Sequence, residues 1–211
     1  NLIFALASEV KGAVATPEVL LYFNRFCEIE WGEDYYLNVD KLISSDIVKN
    51  KKTIEQQIDQ YLQQIVYSIN QVASSRGAQC PFTNFSLFDK YFFEGMFSSF
   101  YFPDGTAPHW ESFNWLQQHF LHWFNQERLK CMLTFPVVSY ACLTENNDFK
   151  DKQTKDFICK ELAEGNSFFI YNSNSVDSLS SCCFNGDTKI IWRYKNKVNI
   201  TPFKKLWEFD I

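Results

Sequence analysis

The sequence predicts an α/β fold, because segments with a helical pattern alternate with short segments that have a strand pattern. Residues 54–69 place their apolar side chains at the 3.6-residue period of a helix. Residues 136–143 are short, rich in β-branched residues and flanked by a proline and a polar loop, as in a buried strand. Because helices of this length between strands require crossover connections, we expect parallel pairing in an α/β sheet or barrel.

Three elements are predicted in the first half of the chain. Thr16 and Pro17 provide a cap and a first-turn proline for a helix whose apolar stripe includes Leu20 and Phe26. A long helix follows over residues 54–69 and ends before Arg76. Residues 80–88 alternate aromatic and polar side chains, which predicts a half-buried strand.

Four elements are predicted in the second half. An aromatic helix runs from about His109 to Lys130 and packs its Trp and Phe residues inward. The strand at 136–143 is followed by an amphipathic helix over residues 148–164 that ends at Gly165, and then by a strand at 167–171.

The pattern changes after Cys183. Residues 188–201 read as two strands joined by a turn, and residues 202–208 as a short helical turn. A β-rich module after an α/β one indicates a domain boundary between Cys182 and Cys183. We therefore predict two parts, residues 1–182 and 183–211.

Composition excludes several classes of function. The 211 residues are 46% apolar and 18% aromatic, with 22 Phe, which is ample for a packed core. A net charge of -5 argues against binding nucleic acid, and the sequence lacks the ~20 continuous apolar residues that a membrane span requires. Seven cysteines without a Cys-x-x-Cys spacing fit reduced thiols in the cytoplasm, and the Asn at position 1 suggests an internal fragment.

Five motifs occur in an order that suggests a family. They are Gly-Ala-Val-Ala-Thr-Pro-Glu (12–18), Ser-Arg-Gly-Ala-Gln-Cys-Pro-Phe-Thr-Asn (75–84), Leu-Thr-Phe-Pro-Val-Val (133–138), Glu-Gly-Asn-Ser-Phe-Phe (164–169) and Asp-Ser-Leu-Ser-Ser-Cys-Cys (177–183). Together they resemble the anaerobic (class III) ribonucleoside-triphosphate reductases. Cys80 departs from the pattern, in which an aliphatic residue precedes Pro-Phe.

The resemblance implies part of the ten-stranded α/β barrel of glycyl-radical enzymes, with a cysteine on a loop threaded through the barrel. It implies reduction of ribonucleotides to deoxyribonucleotides for DNA replication, an oxidoreductase activity in which a thiyl radical takes the ribose 3′ hydrogen and weakens the neighbouring C–O bond. A barrel that excludes water and oxygen would protect that radical. We expect the isolated fragment to be inactive.

The resemblance also suggests site residues. Cys182 and Cys183 are the catalytic candidates, and the sequence does not decide which would carry the radical. The candidates for substrate binding are Arg76, Asn84, Ser86, Ser180 and Ser181. Arg76 could approach a phosphate or be an exposed turn residue. Asn84 and Ser86 could hold the ribose or base inside the barrel, or could be the outward-facing polar residues of a strand.

Cofactors and partners follow from the same resemblance. This fragment is expected to bind no cofactor of its own. The full enzyme would carry a glycyl radical, installed by an activase that uses S-adenosylmethionine and an iron–sulfur cluster, and a zinc ion in a carboxy-terminal region. It would act on ribonucleoside triphosphates and form a homodimer.

A second resemblance starts at Cys183. Residues 183–190, Cys-Phe-Asn-Gly-Asp-Thr-Lys-Ile, are similar to the first block of an intein (Hint-like) module. In inteins such a cysteine attacks the preceding carbonyl in an N-to-S acyl shift. The helper histidines of later intein blocks are missing, since all three histidines lie upstream of Cys183. The chain could be a truncated precursor or one half of a split intein that needs a complementary fragment; alternatively, residues 183–211 are a divergent hairpin of the reductase.

Three hypotheses for function therefore remain open. The first is a reductase fragment interrupted at its cysteine loop by an intein. The second is an intein precursor whose own chemistry is acyl transfer at Cys183, and the third is a non-catalytic α/β fragment. His119 and His122 are three residues apart and could share a metal, but a surface pair is the simpler interpretation, and we predict no metal ligands.

Overall fold

The computed structural model describes residues 2–9, 14–43, 52–72, 80–177, 189–194, 197–202 and 204–205. These residues form two compact units, residues 1–180 and 181–211. The helices are α1 (Leu2–Glu9), α2 (Val19–Trp31), α3 (Ile54–Ile69), α4 (Lys90–Phe97), α5 (Trp110–Lys130) and α6 (Lys152–Ala163), with a 3₁₀ turn at Tyr35–Leu37. The strands are β1 (Val14–Ala15), β2 (Thr83–Phe88), β3 (Val137–Glu145), β4 (Asp148–Phe149), β5 (Phe169–Ser173), β6 (Lys189–Tyr194) and β7 (Lys197–Pro202).

A five-stranded sheet organises the first unit. β1, β2, β3 and β5 lie side by side in that order and pair in parallel, while β4 pairs antiparallel with the end of β3. At least one helix lies in each crossover between neighbouring parallel strands, as parallel pairing requires. The predicted parallel α/β sheet is confirmed. Within the described ranges the sheet is open, so the ten-stranded barrel stays a prediction.

The core lies between the sheet and α5. Phe113, Leu116, Phe120 and Phe124 of α5 are fully buried, and the ring of Phe120 lies 5.8 Å from that of Phe85 in β2. The helix predicted at residues 109–130 is confirmed, and its aromatic side chains do pack inward. Each buried side chain of this size stabilises the fold by about 1.5–3 kcal/mol.

The helix predicted at residues 54–69 is also confirmed. Thr53 and Gln56 form a capping box, in which each side chain accepts a hydrogen bond from the other residue's backbone N–H. The helix ends at Ile69, well before Arg76.

Two details of the first predicted helix are wrong. The helix begins at Val19, and Thr16 does not cap it with its side chain. The Thr16 hydroxyl instead contacts Thr83 Oγ1 at 3.2 Å and donates to Asn84 O at 3.1 Å, because β1 draws this segment onto β2. Phe26, expected on the inner stripe, is 65% exposed.

Two other predictions, the burial of β2 and the start of α6, also need correction. β2 is buried along all six residues, not half-buried, and it is an inner strand that lies between β1 and β3. The helix expected from residue 148 begins at Lys152, since Asp148 and Phe149 pair with the end of β3 and Asp151 caps the helix. Its end at Gly165, with a φ of +85°, agrees with the prediction.

The second unit contains an antiparallel hairpin, as the sequence predicts. β6 and β7 pair along their full lengths, from Lys189 with Pro202 to Tyr194 with Lys197. Residues 204–205 form a 3₁₀ turn within the predicted helical turn, most of which lies outside the described residues.

Candidate active site

Most of the predicted site lies outside the described residues. This applies to Cys182, Cys183, Ser180, Ser181 and Arg76. The structure does describe the segment that leads to the cysteines, which leaves β5 at Ser173 and continues to Asp177. Ser173 Oγ donates to Ser175 O at 2.8 Å, so the chain turns directly after the strand.

This segment packs closely on α4. Gly95 faces Val176, and a Cβ atom at Gly95 would lie 2.5 Å from Val176 Cγ1. Contacts that short do not occur between real carbon atoms, so only glycine fits at this position. The approach fixes where the chain leaves the sheet on its way to Cys182.

Asn84 and Ser86 form a polar strip with Ser139 across β2 and β3. Asn84 Nδ2 donates to Val137 O at 2.9 Å and to Ser139 Oγ at 2.7 Å, and Ser86 Oγ donates to Asn84 Oδ1 at 3.2 Å. All three side chains are buried. The alternative of outward-facing polar residues therefore does not describe Asn84 and Ser86.

The strip lies on the face of the sheet opposite to Phe85 and Tyr140, which contact α5 and α6. Side chains alternate between the two faces of a strand, and the neighbours Phe85 and Tyr140 contact α5 and α6 through Phe120 and Phe157. Asn84 and Ser86 are the two sequence neighbours of Phe85, and Ser139 is a neighbour of Tyr140. All three polar residues therefore lie on the opposite face of the sheet from these rings. The polar groups thus belong to the face that a barrel would enclose.

Asp89 fixes the carboxyl end of β2. Its Oδ1 accepts a hydrogen bond from Phe92 N and its Oδ2 accepts one from Leu143 N, both at 2.6 Å. Burial raises the pKa of this carboxyl, and the two backbone N–H groups partly oppose that effect. Asp89 therefore ties the start of α4 to β3. This role of Asp89 was not predicted, because Leu143 is remote from it in sequence; the signal was an Asp directly before an apolar segment.

The cysteines outside the loop differ in exposure. Cys27 and Cys142 are buried, as expected of small apolar residues, and burial raises the pKa of Cys27 to about 12. Both thiols are thereby disfavoured as thiolate nucleophiles. Cys159 is exposed, and Cys131 is half-buried, with its Sγ 3.2 Å from Tyr67 Oη.

The two neighbouring histidines do not share a site. His119 Nε2 lies 2.6 Å from Asp59 Oδ1 of α3, whereas His122 Nδ1 lies 3.5 Å from Glu161 Oε1 of α6. A spacing of three residues on α5 points the two rings toward different neighbouring helices.

Comparison with known proteins decides the family. The chain matches the family described as anaerobic ribonucleoside-triphosphate reductase over residues 1–196. This chain belongs to that family. The match includes Cys183 and β6 and thus crosses the boundary predicted at Cys182 and Cys183.

Solved structures of anaerobic ribonucleotide reductases share the fold. The Thermotoga maritima enzyme in complex with dATP and CTP is 28% identical, with a TM-score of 0.69 over 86% of this chain. The same enzyme with citrate in the active site is 27% identical, with a TM-score of 0.68 over 86% of this chain. A further structure, described as anaerobic ribonucleotide reductase, is 27% identical, with a TM-score of 0.68 over 86% of this chain.

This chain spans only part of those relatives. It covers 28%, 30% and 26% of the three solved chains, respectively. A search of curated protein sequences gave no match. In the described part of the reductase chain, no helix has the length and apolar character to cross a membrane.

Proposed function

We propose that this chain supplies the cysteine loop and one wall of the substrate site in an anaerobic ribonucleoside-triphosphate reductase. The enzyme would convert ribonucleoside triphosphates to deoxyribonucleotides. The observation that carries the proposal is the buried polar strip of Asn84, Ser86 and Ser139, on the face of the sheet opposite to Phe85 and Tyr140, one strand away from β5. The cysteine loop follows β5 in the sequence.

The loop is long enough to return to the strip. Cys182 follows Ser173 by nine residues, which span at most about 30 Å when extended. Ser139 pairs with Phe169, the first residue of β5, and Ser173 lies about 13 Å further along that strand. The number of residues between Ser173 and Cys182 is therefore compatible with the proposal.

Within the strip, the hydroxyl of Ser139 is the group that we propose as a hydrogen-bond donor to the substrate. Asn84 uses its two amide hydrogens on Val137 O and Ser139 Oγ, so Ser139 acts as the acceptor in that contact. Among the described residues, the Ser139 hydroxyl has no acceptor of its own. We assign its hydrogen to a ribose or phosphate oxygen of the substrate, with Asn84 as a positioning residue that orients Ser139.

The radical step would then take place at the loop cysteines, Cys182 or Cys183. A thiyl radical there takes the 3′ hydrogen of the ribose, which forms an S–H bond and leaves a carbon radical next to the 2′ C–O bond. Ser180, Ser181 and Arg76 would contact the substrate around this centre. Water and oxygen must be excluded, and the buried polar strip is suited to such an enclosure.

The rest of the enzyme would come from outside this chain. We propose a glycyl radical, an activase that installs it with S-adenosylmethionine and an iron–sulfur cluster, a zinc ion in the carboxy-terminal region and a homodimer in the cytoplasm. The chain alone should form no deoxyribonucleotide.

The test uses the enzyme encoded by the complete reading frame, activated without oxygen, supplied with a two-electron reductant (a dithiol or formate, in separate assays) and assayed for conversion of CTP to dCTP. Cys182→Ala should abolish conversion or lower it at least a thousandfold. Cys159→Ala, which removes an exposed thiol from α6, should leave it unchanged. Full conversion by Cys182→Ala would show that Cys182 is not a catalytic residue. Absence of conversion by the unmodified enzyme would overturn the proposal.

A second candidate function is protein splicing at Cys183. It is favoured by the separate compact unit of residues 181–211, with its own antiparallel hairpin, and opposed by the family match that continues to residue 196. The sulfur of Cys183 would attack the carbonyl of Cys182. The peptide bond between the two residues would break, and residues 1–182 would then be held by a thioester to Cys183 Sγ.

Mixing the chain with a complementary intein fragment tests this candidate. Mass spectrometry should find residues 1–182 ligated to the segment that follows the intein. Cys183→Ala should abolish ligation, whereas Cys182→Ala should permit it because residue 182 contributes only its carbonyl. Absence of ligation in both variants and in the unmodified chain would favour a reductase hairpin.

A further inference from the structure

Three potential metal ligands converge between the two helices that cover the sheet. His122 lies on α5, Glu161 lies on α6, and Glu164 directly follows α6. One donor atom from each of them lies within 4.8 Å of the other two. His122 Nδ1 is 3.5 Å from Glu161 Oε1 and 3.9 Å from Glu164 Oε2.

These distances suit a single metal ion. With ligand bonds of 2.0–2.2 Å, two ligands of a tetrahedral zinc ion lie about 3.4 Å apart. Glu164 and His122 are both exposed, so their side chains can move the remaining distance to such a geometry.

Glu161 is the fixed member of the set. It is only 2% exposed, and its Oε2 accepts a hydrogen bond of 2.9 Å from Asn166 Nδ2. Asn166 is itself buried and also donates to Leu121 O of α5 at 3.0 Å. A second residue that holds a carboxylate in this way is common around metal ligands.

The charge of the two carboxylates favours binding of a cation. A buried carboxylate is normally paired with a cation or coordinated to a metal. Within the described ranges, no lysine or arginine forms an ion pair with Glu161 or Glu164, and both carboxylates face the same imidazole nitrogen.

His119 offers a matched comparison on the same helix. Its two ring nitrogens face separate carboxylates, Asp59 at 2.6 Å and Glu55 at 3.6 Å, so these ligands do not converge on one point. Its ring also stacks on Trp115. Convergence of donors is thus particular to His122 among the described histidines of α5.

We propose that His122, Glu161 and Glu164 bind one divalent transition metal ion, with Zn²⁺ as the best fit. One imidazole nitrogen and two carboxylate oxygens form a borderline ligand set, and water can complete the coordination. The ion would join α5 to α6 on the side of these helices away from the proposed substrate site. The proposal is independent of the reductase assignment, since it needs only these two helices.

Zinc binding by the 211-residue chain tests the proposal. The thiols are first blocked with iodoacetamide, because exposed cysteines also bind zinc. At pH 7.5, calorimetric titration should show one more bound Zn²⁺ in the unmodified chain than in His122→Ala or in Glu164→Gln. His119→Gln is the control and should keep the unmodified stoichiometry.

Thermal unfolding supplies a second readout. Zn²⁺ should raise the Tm of the unmodified chain and of His119→Gln, but not that of His122→Ala or Glu164→Gln. The changed side chains are half-exposed or exposed, so both variants should keep the fold, which circular dichroism verifies. Equal zinc stoichiometry in the unmodified chain and in His122→Ala would overturn the proposal.

Discussion

The carboxylate of Asp89 accepts a hydrogen bond of 2.6 Å from the backbone N–H of Leu143, 54 residues away. Its other oxygen caps α4 through Phe92 N. One side chain therefore holds together the end of β2, the start of α4 and the carboxyl-terminal part of β3. These elements set the edge of the sheet from which the catalytic loop is proposed to start.

Replacement of Asp89 should measure that connection. Asp89→Ala removes the cap and leaves the half-buried Leu143 N–H without its acceptor, which should lower the free energy of unfolding by about 2–4 kcal/mol. Asp89→Ser can still cap α4 but cannot reach Leu143, so its loss should be about half as large. Urea unfolding of the unmodified chain, Asp89→Ala and Asp89→Ser measures these free energies. Equal stability of all three proteins would contradict the role of Asp89.

Gly95 should tolerate no side chain despite its place in a helix. Gly→Ala in a helix interior normally stabilises by about 1 kcal/mol. Here the new Cβ would meet Val176 at 2.5 Å, so Gly95→Ala should destabilise the fold by about 1–3 kcal/mol.

Val176→Ala is the partner variant for Gly95. It removes the methyl group that the new Cβ would strike, so the double variant should be more stable than Gly95→Ala alone. Additive losses in a double-mutant cycle would show that the two residues are not in contact.

Arg25 controls the titration of Asp104. Its Nε and Nη2 donate to Asp104 Oδ2 at 3.0 and 2.7 Å, and this pairing lowers the pKa of Asp104 from 3.8 to about 2. A depressed pKa in the folded state contributes stability above the unfolded pKa, and that contribution is lost as the pH falls from about 4 to about 2.

Titration by carboxyl-carbon NMR checks this shift. In Arg25→Gln the pKa of Asp104 should rise toward 3.8, while Lys90→Gln, which removes an exposed cation elsewhere, should leave it depressed. An unchanged pKa in Arg25→Gln would show that another group lowers it.

Local patterns predicted the long elements of the first unit. The 3.6-residue period gives α3, and the capping pair Thr53 and Gln56 marks its start. The apolar composition of β3 likewise identifies a buried strand. These signals are contained within each segment, so they need no knowledge of the partner.

Contacts between distant segments explain the errors. Thr16 resembles a helix cap in the sequence, yet its hydroxyl bonds to β2. Asp148 fits a helical pattern, yet it pairs with Glu145 in a short hairpin. The partnership of Asn84 with Ser139 depends on strand register, which no local pattern contains.

The motif order correctly suggested the reductase family, but the geometry of the site could not be read from it. No local pattern singles out Ser139, which joins Asn84 only when β2 and β3 pair in parallel. The convergence of His122 on Glu161 and Glu164 likewise depends on how α5 and α6 pack.

Our assignment of a substrate site rests on the hydroxyl of Ser139, which accepts a hydrogen bond from Asn84 Nδ2. Ser139→Ala in the enzyme from the complete reading frame removes this hydroxyl, while Asn84 keeps its hydrogen bond to Val137 O. Loss of one hydrogen bond to the substrate should raise the KM for CTP about tenfold, whereas Cys159→Ala, which removes an exposed thiol of α6, should leave the KM unchanged. A Ser139→Ala enzyme with the KM and kcat of the unmodified enzyme would show that the strip is not part of the substrate site.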